Sequence, residues 1–211
     1  PFPGPGLAIR CLCNRSTARA RKVNDALHKY VAEFNYQAVL LPIKSVGVQG
    51  DARTYRQVVA LHDKRGELDY EKLQNVSTEL CNVHTATNRV VVLIPGCVKS
   101  MERATIKRAT LTRSRVKLLR EADYIVRSKM EKYGLIKSVW QFPVVLVPIS
   151  FHGGESVILR PVNSTDGMTA SFARLPKDVL RRIADDIIKL PGVDAVFLDV
   201  TSKPPATIEW E

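Results

Sequence analysis

Apolar side chains recur every three or four residues along four stretches of the chain, and this spacing places them on one face of an α-helix. In the second stretch the positions are Tyr70, Leu73, Val76, Leu80 and Val83. The pattern predicts amphipathic helices at residues 17–35, at about 69–84, around 118–130 with an end at 133–134, and from 175–178 to 191–192. Each helix therefore has an apolar face that must pack against another layer.

Shorter apolar runs bounded by turn residues lie between these helices and predict β-strands. The predicted strands cover residues 40–48, 55–61, 89–94, 142–150, 156–162 and 195–200. Helices and strands thus follow the order α-β-β-α-β twice, with a break near residues 96–99. We expect an α+β fold of two tandem two-layer sandwich subdomains with antiparallel sheets, a linker plus first subdomain at 1–97 and a second subdomain at 98–211.

The composition is typical of a globular domain with a sizeable core, because 45% of the 211 residues are hydrophobic. No run approaches the roughly 18 to 20 consecutive apolar residues that a membrane span needs. The four cysteines, Cys11, Cys13, Cys81 and Cys97, lack Cys-x-x-Cys spacing, which favours reduced thiols in the cytoplasm. The histidines are scattered along the chain, so we expect no metal site.

The net charge of +11 is concentrated in residues 99–137, where twelve Lys or Arg and four Asp or Glu give +8. Such a block attracts polyanions such as nucleic acids. The solvated face of a helix has the same composition, and this is the interpretation that we favour. A phosphate-bearing substrate is a third, partial explanation, because it needs only a few of these cations.

The C-terminal segment, residues 202–211, combines a lysine, two prolines, a threonine, a tryptophan and two glutamates. Consecutive prolines fix φ and favour an extended polyproline conformation, so we expect a straight arm that does not fold back and that aims Lys203. Such an arm can bind a ligand with a phosphate at one end. In the alternative interpretation, the prolines only end a strand and Trp210 fills a groove.

Four separated stretches resemble the GMP synthase (glutamine-hydrolysing) family, whose members use ATP and glutamine to aminate xanthosine monophosphate (XMP) to GMP. They are residues 1–10, residues 46–53 (the hairpin motif), residues 164–170 (the loop motif) and the C-terminal segment. Residues 1–10 are similar to the stretch that joins this family's ATP pyrophosphatase domain to its C-terminal domain. The resemblance implies that the chain is a fragment of a longer enzyme, namely its C-terminal dimerisation and XMP-binding domain.

The distribution of these motifs is similar to that of the longer, eukaryote-type members. Bacterial members have one α-β-β-α-β unit, which carries both the Gly-Asp-x-Arg motif and the Pro-Pro tail. Here the first of these lies in the first unit and the second in the last. The resemblance therefore implies a duplicated unit with a site divided between its copies.

The resemblance also implies a set of XMP-binding residues, but no catalytic residue, in this chain. They are Lys203, Glu209, Ile208, Gln141, Arg53, Gly4 and Pro5. Lys203 would bind the phosphate as a point charge, Glu209 would hold the purine or ribose side, and Ile208 would contact it through its backbone. Gly4 and Pro5 would approach the base through backbone atoms.

The two remaining residues have alternatives. The Gln141 amide can both donate to and accept from a xanthine ring, or it can satisfy backbone groups beside Pro143. Arg53 suits a bidentate phosphate contact, or it can pair with Asp51 or cap a strand end.

Nothing in the sequence supports catalysis by this chain alone. It lacks the family's Ser-Gly-Gly-x-Asp-Ser phosphate loop, a Walker loop and a Gly-x-Ser-x-Gly elbow. We therefore expect ATP and magnesium to belong to the absent pyrophosphatase domain, and this fragment to need no cofactor. Two rival functions are an RNA-binding α/β module, which we favour less because no aromatic cluster lies on a predicted strand face, and a purely structural oligomerisation domain.

Overall fold

The computed structural model describes residues 6–50, 52–63, 65–83, 87–96, 98 and 100–211. Within them lie the helices α1 (Asp25–Glu33), α2 (Tyr70–Val83), α3 (Arg113–Lys132) and α4 (Lys177–Ile187), with short 3-10 turns at Met101–Arg103 and Ile136–Ser138. The strands are β1 (Ala18–Arg19), β2 (Arg21–Lys22), β3 (Tyr36–Gln49), β4 (Ala52–Asp63), β5 (Thr87–Leu93), β6 (Thr105–Ile106), β7 (Val144–Val147), β8 (Ile149–Ser150), β9 (Glu155–Leu159), β10 (Val162–Asn163), β11 (Ser171–Phe172) and β12 (Val193–Asp199). None of the described helices has the length and apolar character needed to cross a bilayer.

Seven strands form one continuous sheet in the order β2-β3-β4-β5-β12-β9-β7. Strands β3 and β4 pair antiparallel, and β4 and β5 pair parallel across α2. The second half of the chain repeats this arrangement, because β7 and β9 pair antiparallel and β9 and β12 pair parallel across α4. The halves meet where β5 pairs antiparallel with β12.

The α+β class is confirmed, and antiparallel pairs predominate in the sheet. The order α-β-β-α-β occurs twice among the observed elements. The strands of both halves nevertheless share one sheet, and each half contains a parallel pair. A parallel pair needs a long crossover connection, which α2 and α4 supply. The division into subdomains between residues 97 and 98 stays a prediction.

Apolar side chains fill both faces of the seven-stranded sheet. On one face they pack against the helices, where Leu73 of α2 and Leu119 of α3 are fully buried. On the other face they pack against a small sheet of β1, β6 and β8 and against Trp210, with Phe197 of β12 among them. Because both faces are covered, β5, β7 and β9 are buried at every position.

The first predicted helix is wrong in its N-terminal half. Helix α1 begins at Asp25, and residues 18–22 instead contain β1 and β2, which pair with β6 and β3. The Asn24 side chain accepts a hydrogen bond from the Leu27 N–H at 2.9 Å, which is the usual way to begin a helix. Pairing with distant strands therefore outweighs the helical spacing of Ala20 and Val23.

Candidate functional site

The C-terminal segment leaves β12 and turns back across the sheet. The peptide bonds before Pro204 and Pro205 are both cis. Beyond the turn, the Pro205 carbonyl accepts from the Val48 N–H at 2.7 Å, and the Trp210 carbonyl accepts from the Val46 N–H at 3.0 Å. The expected straight arm is therefore wrong, because the carbonyls of the segment bond to N–H donors on β3.

Trp210 anchors the end of this segment in the core. Its side chain is 1% exposed, and its Nε1 donates to Asp199 Oδ2 at 3.1 Å. The Arg89 guanidinium lies over the ring, with 4.6 Å between Cζ and the ring centroid. The alternative interpretation, in which Trp210 fills a groove, is thus right for this residue.

Two arginines and one aspartate, which we call the arginine cluster, are completely buried beneath the segment. Arg89 Nη1 lies 2.7 Å from Asp199 Oδ2, and Arg160 Nη1 lies 2.8 Å from Asp199 Oδ1. All three side chains have 0% exposure. One carboxylate does not balance two guanidinium groups, so the cluster needs further oxygen partners in this dry environment.

The backbone carbonyls of the C-terminal segment supply those partners. Arg160 donates through Nε to the Ile208 carbonyl at 2.9 Å and through Nη2 to the Thr207 carbonyl at 2.8 Å. Arg89 donates through Nη2 to the Glu209 carbonyl at 2.8 Å and to the Thr207 carbonyl at 3.1 Å. The excess positive charge therefore holds the segment at three consecutive residues.

The pKa shifts in the cluster follow from burial and from its opposite charges. Burial alone would raise the pKa of Asp199, but the guanidinium groups of Arg160 and Arg89 outweigh burial and hold that pKa below its ordinary value. Burial lowers the pKa of Arg160 to about 10, against the opposing effect of Asp199. Burial also lowers the pKa of Arg89.

Lys203 lies against the loop motif. The Lys203 N–H donates to the Ala170 carbonyl at 2.7 Å, and its carbonyl accepts from the Ala170 N–H at 3.1 Å. The Lys203 ammonium donates to the Gly167 carbonyl. Ser164 Oγ braces this loop by accepting from the Gly167 N–H at 2.8 Å. An ammonium has three donors, so among the described residues Lys203 keeps donors for a ligand.

The hairpin motif leaves room for the C-terminal segment at Gly47. A Cβ atom at this position would lie 2.5 Å from the Pro205 carbonyl oxygen and 2.6 Å from Asn88 Nδ2. Asn88 is itself held in place, because Nδ2 donates to the Ser45 carbonyl at 2.9 Å. Glycine is therefore needed for this close approach. The hairpin motif and the loop motif, far apart in sequence, both contact the C-terminal segment.

Two further predicted residues lie on or beside the same segment. Glu209 is exposed, while the Ile208 carbonyl faces Arg160. Arg53 is exposed on β4, directly opposite Val48, whose N–H bonds to the segment. The alternative pairing of Arg53 with Asp51 lies outside the described residues.

Gln141 is half-buried and makes a backbone bridge with Val162. The neighbouring Trp140 ring lies beside the loop motif, since a Cβ on Gly167 would be 3.6 Å from Trp140 Cη2. Gln141 is thus near the loop that contacts Lys203. The predicted contacts of Gly4 and Pro5 lie outside the described residues.

Our reading of the sequence missed the arginine cluster. Arg89, Arg160 and Asp199 all fall within predicted strands that are otherwise apolar. Charged residues are almost never fully buried unless they are paired. Two arginines and an aspartate in such strands were therefore a signal that a buried ion pair was present.

Comparison with known proteins identifies the family. The profile of the GMP synthase C terminal domain matches residues 22–107 and 128–210. These matches cover β2 to β6 and the end of α3 through to Trp210, and so include the arginine cluster. The chain belongs to the GMP synthase C-terminal domain family.

Relatives of this GMP synthase C-terminal domain differ in how much of the chain they match. A probable glutamine-hydrolyzing GMP synthase of Leptospira interrogans is 39% identical over 212 residues, covering 100% of this chain and 35% of the relative. The glutamine-hydrolyzing GMP synthase of Dictyostelium discoideum is 30% identical over 259 residues, covering 100% and 36%. That of Thermomicrobium roseum is 46% identical over 110 residues, covering 48% and 21%. The chain thus spans about a third of the length of the first two relatives.

We expect Gly47→Ala to displace the C-terminal segment, because the added methyl group would meet a carbonyl and a fixed amide. Overpacking of this kind costs about 1–3 kcal/mol of unfolding free energy. Urea denaturation should give that loss, and acrylamide should quench Trp210 fluorescence more strongly in a Trp140→Phe background. Gly6→Ala is the control, since a Cβ there has no neighbour within 4 Å. Unchanged stability and quenching would contradict the geometry of the seat.

We expect Asp199→Asn to lower the unfolding free energy by about 3–5 kcal/mol at neutral pH, as when one partner of a buried ion pair is removed. The pKa of Asp199 is below its ordinary 3.8 when folded, so the unfolded chain binds more protons in acid. Stability from this carboxylate is therefore present above about pH 4 and is lost as pH falls through the folded pKa. Denaturation at pH 7 and at pH 3 should show the difference from the unchanged protein shrinking in acid. Asp185→Asn, at an exposed position, should change little, and a pH-independent difference would argue against the assignment.

Proposed function

We propose that this chain is the XMP-binding and dimerising part of a GMP synthase that aminates XMP to GMP with ATP and glutamine. The observation that carries the proposal is the position of the C-terminal segment, which lies between the hairpin motif and the loop motif. Its lysine, its exposed glutamate and its constrained backbone are thereby collected at one end of the sheet. In such an arrangement a phosphate and a purine can be bound a fixed distance apart.

In this proposal Lys203 binds the nucleotide phosphate and Arg53 adds a second cation from the hairpin motif. Glu209 accepts hydrogen bonds from the purine or ribose side, and Gln141 recognises the xanthine edge. The backbone at Ile208 completes these contacts. Gly4 and Pro5 keep their proposed backbone approach to the base.

The chemistry itself is proposed to take place on other domains of the full-length protein. The chain lacks a phosphate loop, and the described residues contain no group of three His, Cys, Asp or Glu placed to hold a metal ion. ATP and Mg²⁺ are therefore assigned to the pyrophosphatase domain, and glutamine hydrolysis to the glutaminase domain. We place the protein in the cytoplasm, where the free thiols of Cys11, Cys13 and Cys81 stay reduced.

Lys203→Ala in the full-length protein should raise the dissociation constant for XMP about ten- to hundred-fold, because a charge-assisted phosphate contact is worth about 1.5–3 kcal/mol. Isothermal titration calorimetry measures this, and Lys189→Ala, an exposed lysine paired with Asp186, is the control. Deleting residues 207–211 is a poorer test, since it also removes the buried Trp210. An unchanged dissociation constant would contradict the role of Lys203.

The same titrations separate this proposal from RNA binding. Gly47 and Gly50 have the Gly-x-x-Gly spacing of a KH loop, but the Pro205 carbonyl covers Gly47, so that loop is closed to a nucleotide backbone. One-to-one saturation by XMP in preference to AMP supports the proposal. Binding of single-stranded RNA that weakens steeply with salt, without XMP binding, would contradict it.

We also propose two-fold self-association through apolar surface on the second half of the chain. Tyr124 is 71% exposed and Ile136 is 55% exposed, and both line a groove of about 510 Å³ beside α3. Lysines and arginines of α3 repel a second copy at low salt, so association should strengthen as salt rises. Sedimentation equilibrium should detect dimers that Tyr124→Ala weakens and that Val83→Ala, at an equally exposed position in the first half, leaves intact. A monomer at all concentrations and salt levels would contradict the proposal.

A further inference from the structure

The two buried arginines act on the backbone of the C-terminal segment in one direction. Three consecutive carbonyls, those of Thr207, Ile208 and Glu209, accept hydrogen bonds from guanidinium nitrogens. Thr207 receives one from each arginine. The carbonyl side of this stretch is therefore turned inward, toward the arginine cluster.

Peptide geometry fixes where the N–H groups of the same stretch point. The cis peptides of the described chain are those before Pro204 and Pro205, so the Thr207–Ile208 and Ile208–Glu209 peptides are trans. In a trans peptide the N–H points opposite to the C=O. The N–H groups of Ile208 and Glu209 therefore point away from the guanidinium groups. Within the described part of the chain, neither N–H has a hydrogen-bond acceptor.

We propose that Arg89 and Arg160 are positioning residues that orient the N–H groups of Ile208 and Glu209 toward an acceptor oxygen of the bound nucleotide. The inference rests on the function proposed above for the segment. A peptide N–H only donates, so it matches a carbonyl oxygen of an oxidised purine. An amino group at the same place would leave two donors facing each other, which is costly when buried.

The geometry of the guanidinium group explains why arginine is needed here. One nitrogen of each arginine pairs with Asp199, while other nitrogens of the same planar group reach the carbonyls. A lysine could keep the ion pair but has no rigid fork to hold two peptide planes as well. Replacing arginine by lysine therefore removes the orientation while keeping the charge.

The test is Arg160→Lys in the full-length protein, with XMP and AMP titrated by calorimetry. We expect the dissociation constant for XMP to rise about tenfold and the preference for XMP over AMP to fall by a similar factor. In steady-state assays, KM for XMP should rise with little change in kcat, since the chemistry lies on another domain. A role confined to stability would not change this preference.

Arg115→Lys is the matched control. Arg115 is also a buried arginine, 8% exposed, and it pairs with Glu155 at 2.9 Å. Glu155 opens β9 whereas Arg160 follows its last residue, so the two pairs are at opposite ends of the strand, roughly 16 Å apart at the usual rise per residue. Arg115→Lys should lower thermal stability by a comparable amount and leave both dissociation constants unchanged.

The outcomes separate this inference from the proposed function. If the unchanged protein binds XMP and Arg160→Lys only lowers stability, as the control does, the positioning role is overturned. If the unchanged protein does not bind XMP, the proposed function fails and this inference fails with it. Should Arg160→Lys not fold, Arg89→Lys serves as the second variant, because it also keeps the charge and loses contacts to Thr207 and Glu209. The same criteria then apply.

Discussion

Two guanidinium groups share one carboxylate in the dry interior of this protein, and much of the surrounding structure can be understood as their compensation. Removing an ion from water costs several kcal/mol even after relaxation, and a single Asp199 offsets only part of that cost for Arg89 and Arg160. The remaining donors need oxygen atoms at fixed positions. The carbonyls of residues 207–209 provide them, so the C-terminal segment is a structural part of the core as well as a candidate ligand site.

The cluster also depends on the junction between the two halves of the chain. Arg89 is on β5 in the first half, Asp199 is the last residue of β12, and Arg160 follows β9 in the second half. Strands β5 and β12 pair antiparallel at the centre of the sheet, which brings the three residues together. This pairing also removes two exposed strand edges, which would otherwise present unpaired N–H and C=O groups. One junction therefore joins the sheet and creates the place where the charges meet.

The consequence for function is a site whose precision comes from buried residues. Lys203 is held by the loop motif and the next turn of chain by Gly47 of the hairpin motif. Neither motif has a catalytic side chain, and their shared property is close backbone contact with the segment. Such contacts keep a binding site within the small tolerances that recognition requires, because they leave the backbone little freedom.

The sequence determined the features that depend on neighbours along the chain. Helical periodicity located α2 and α4 to within a few residues, and alternating turns and apolar runs located β3, β4 and β12. The resemblance of four short motifs identified the family, which the profile match and the relatives then established. Motif resemblance succeeds here because close backbone contacts, as at Gly47, restrict the residue type strongly.

Only the tertiary structure decided the direction of the C-terminal segment, the strands at residues 18–22 and the arginine cluster. Prolines limit φ, but they do not determine whether a chain meets donors such as those of Val46 and Val48, which lie far away in sequence. The strands at 18–22 likewise depend on partners in β6 and β3. A buried charge is tolerated only where distant oxygen atoms surround it, and local sequence carries no record of which oxygen atoms those are. The order of elements was therefore readable from the chain, whereas the placement of its C-terminal segment was set by hydrogen bonds and charges that meet only after folding.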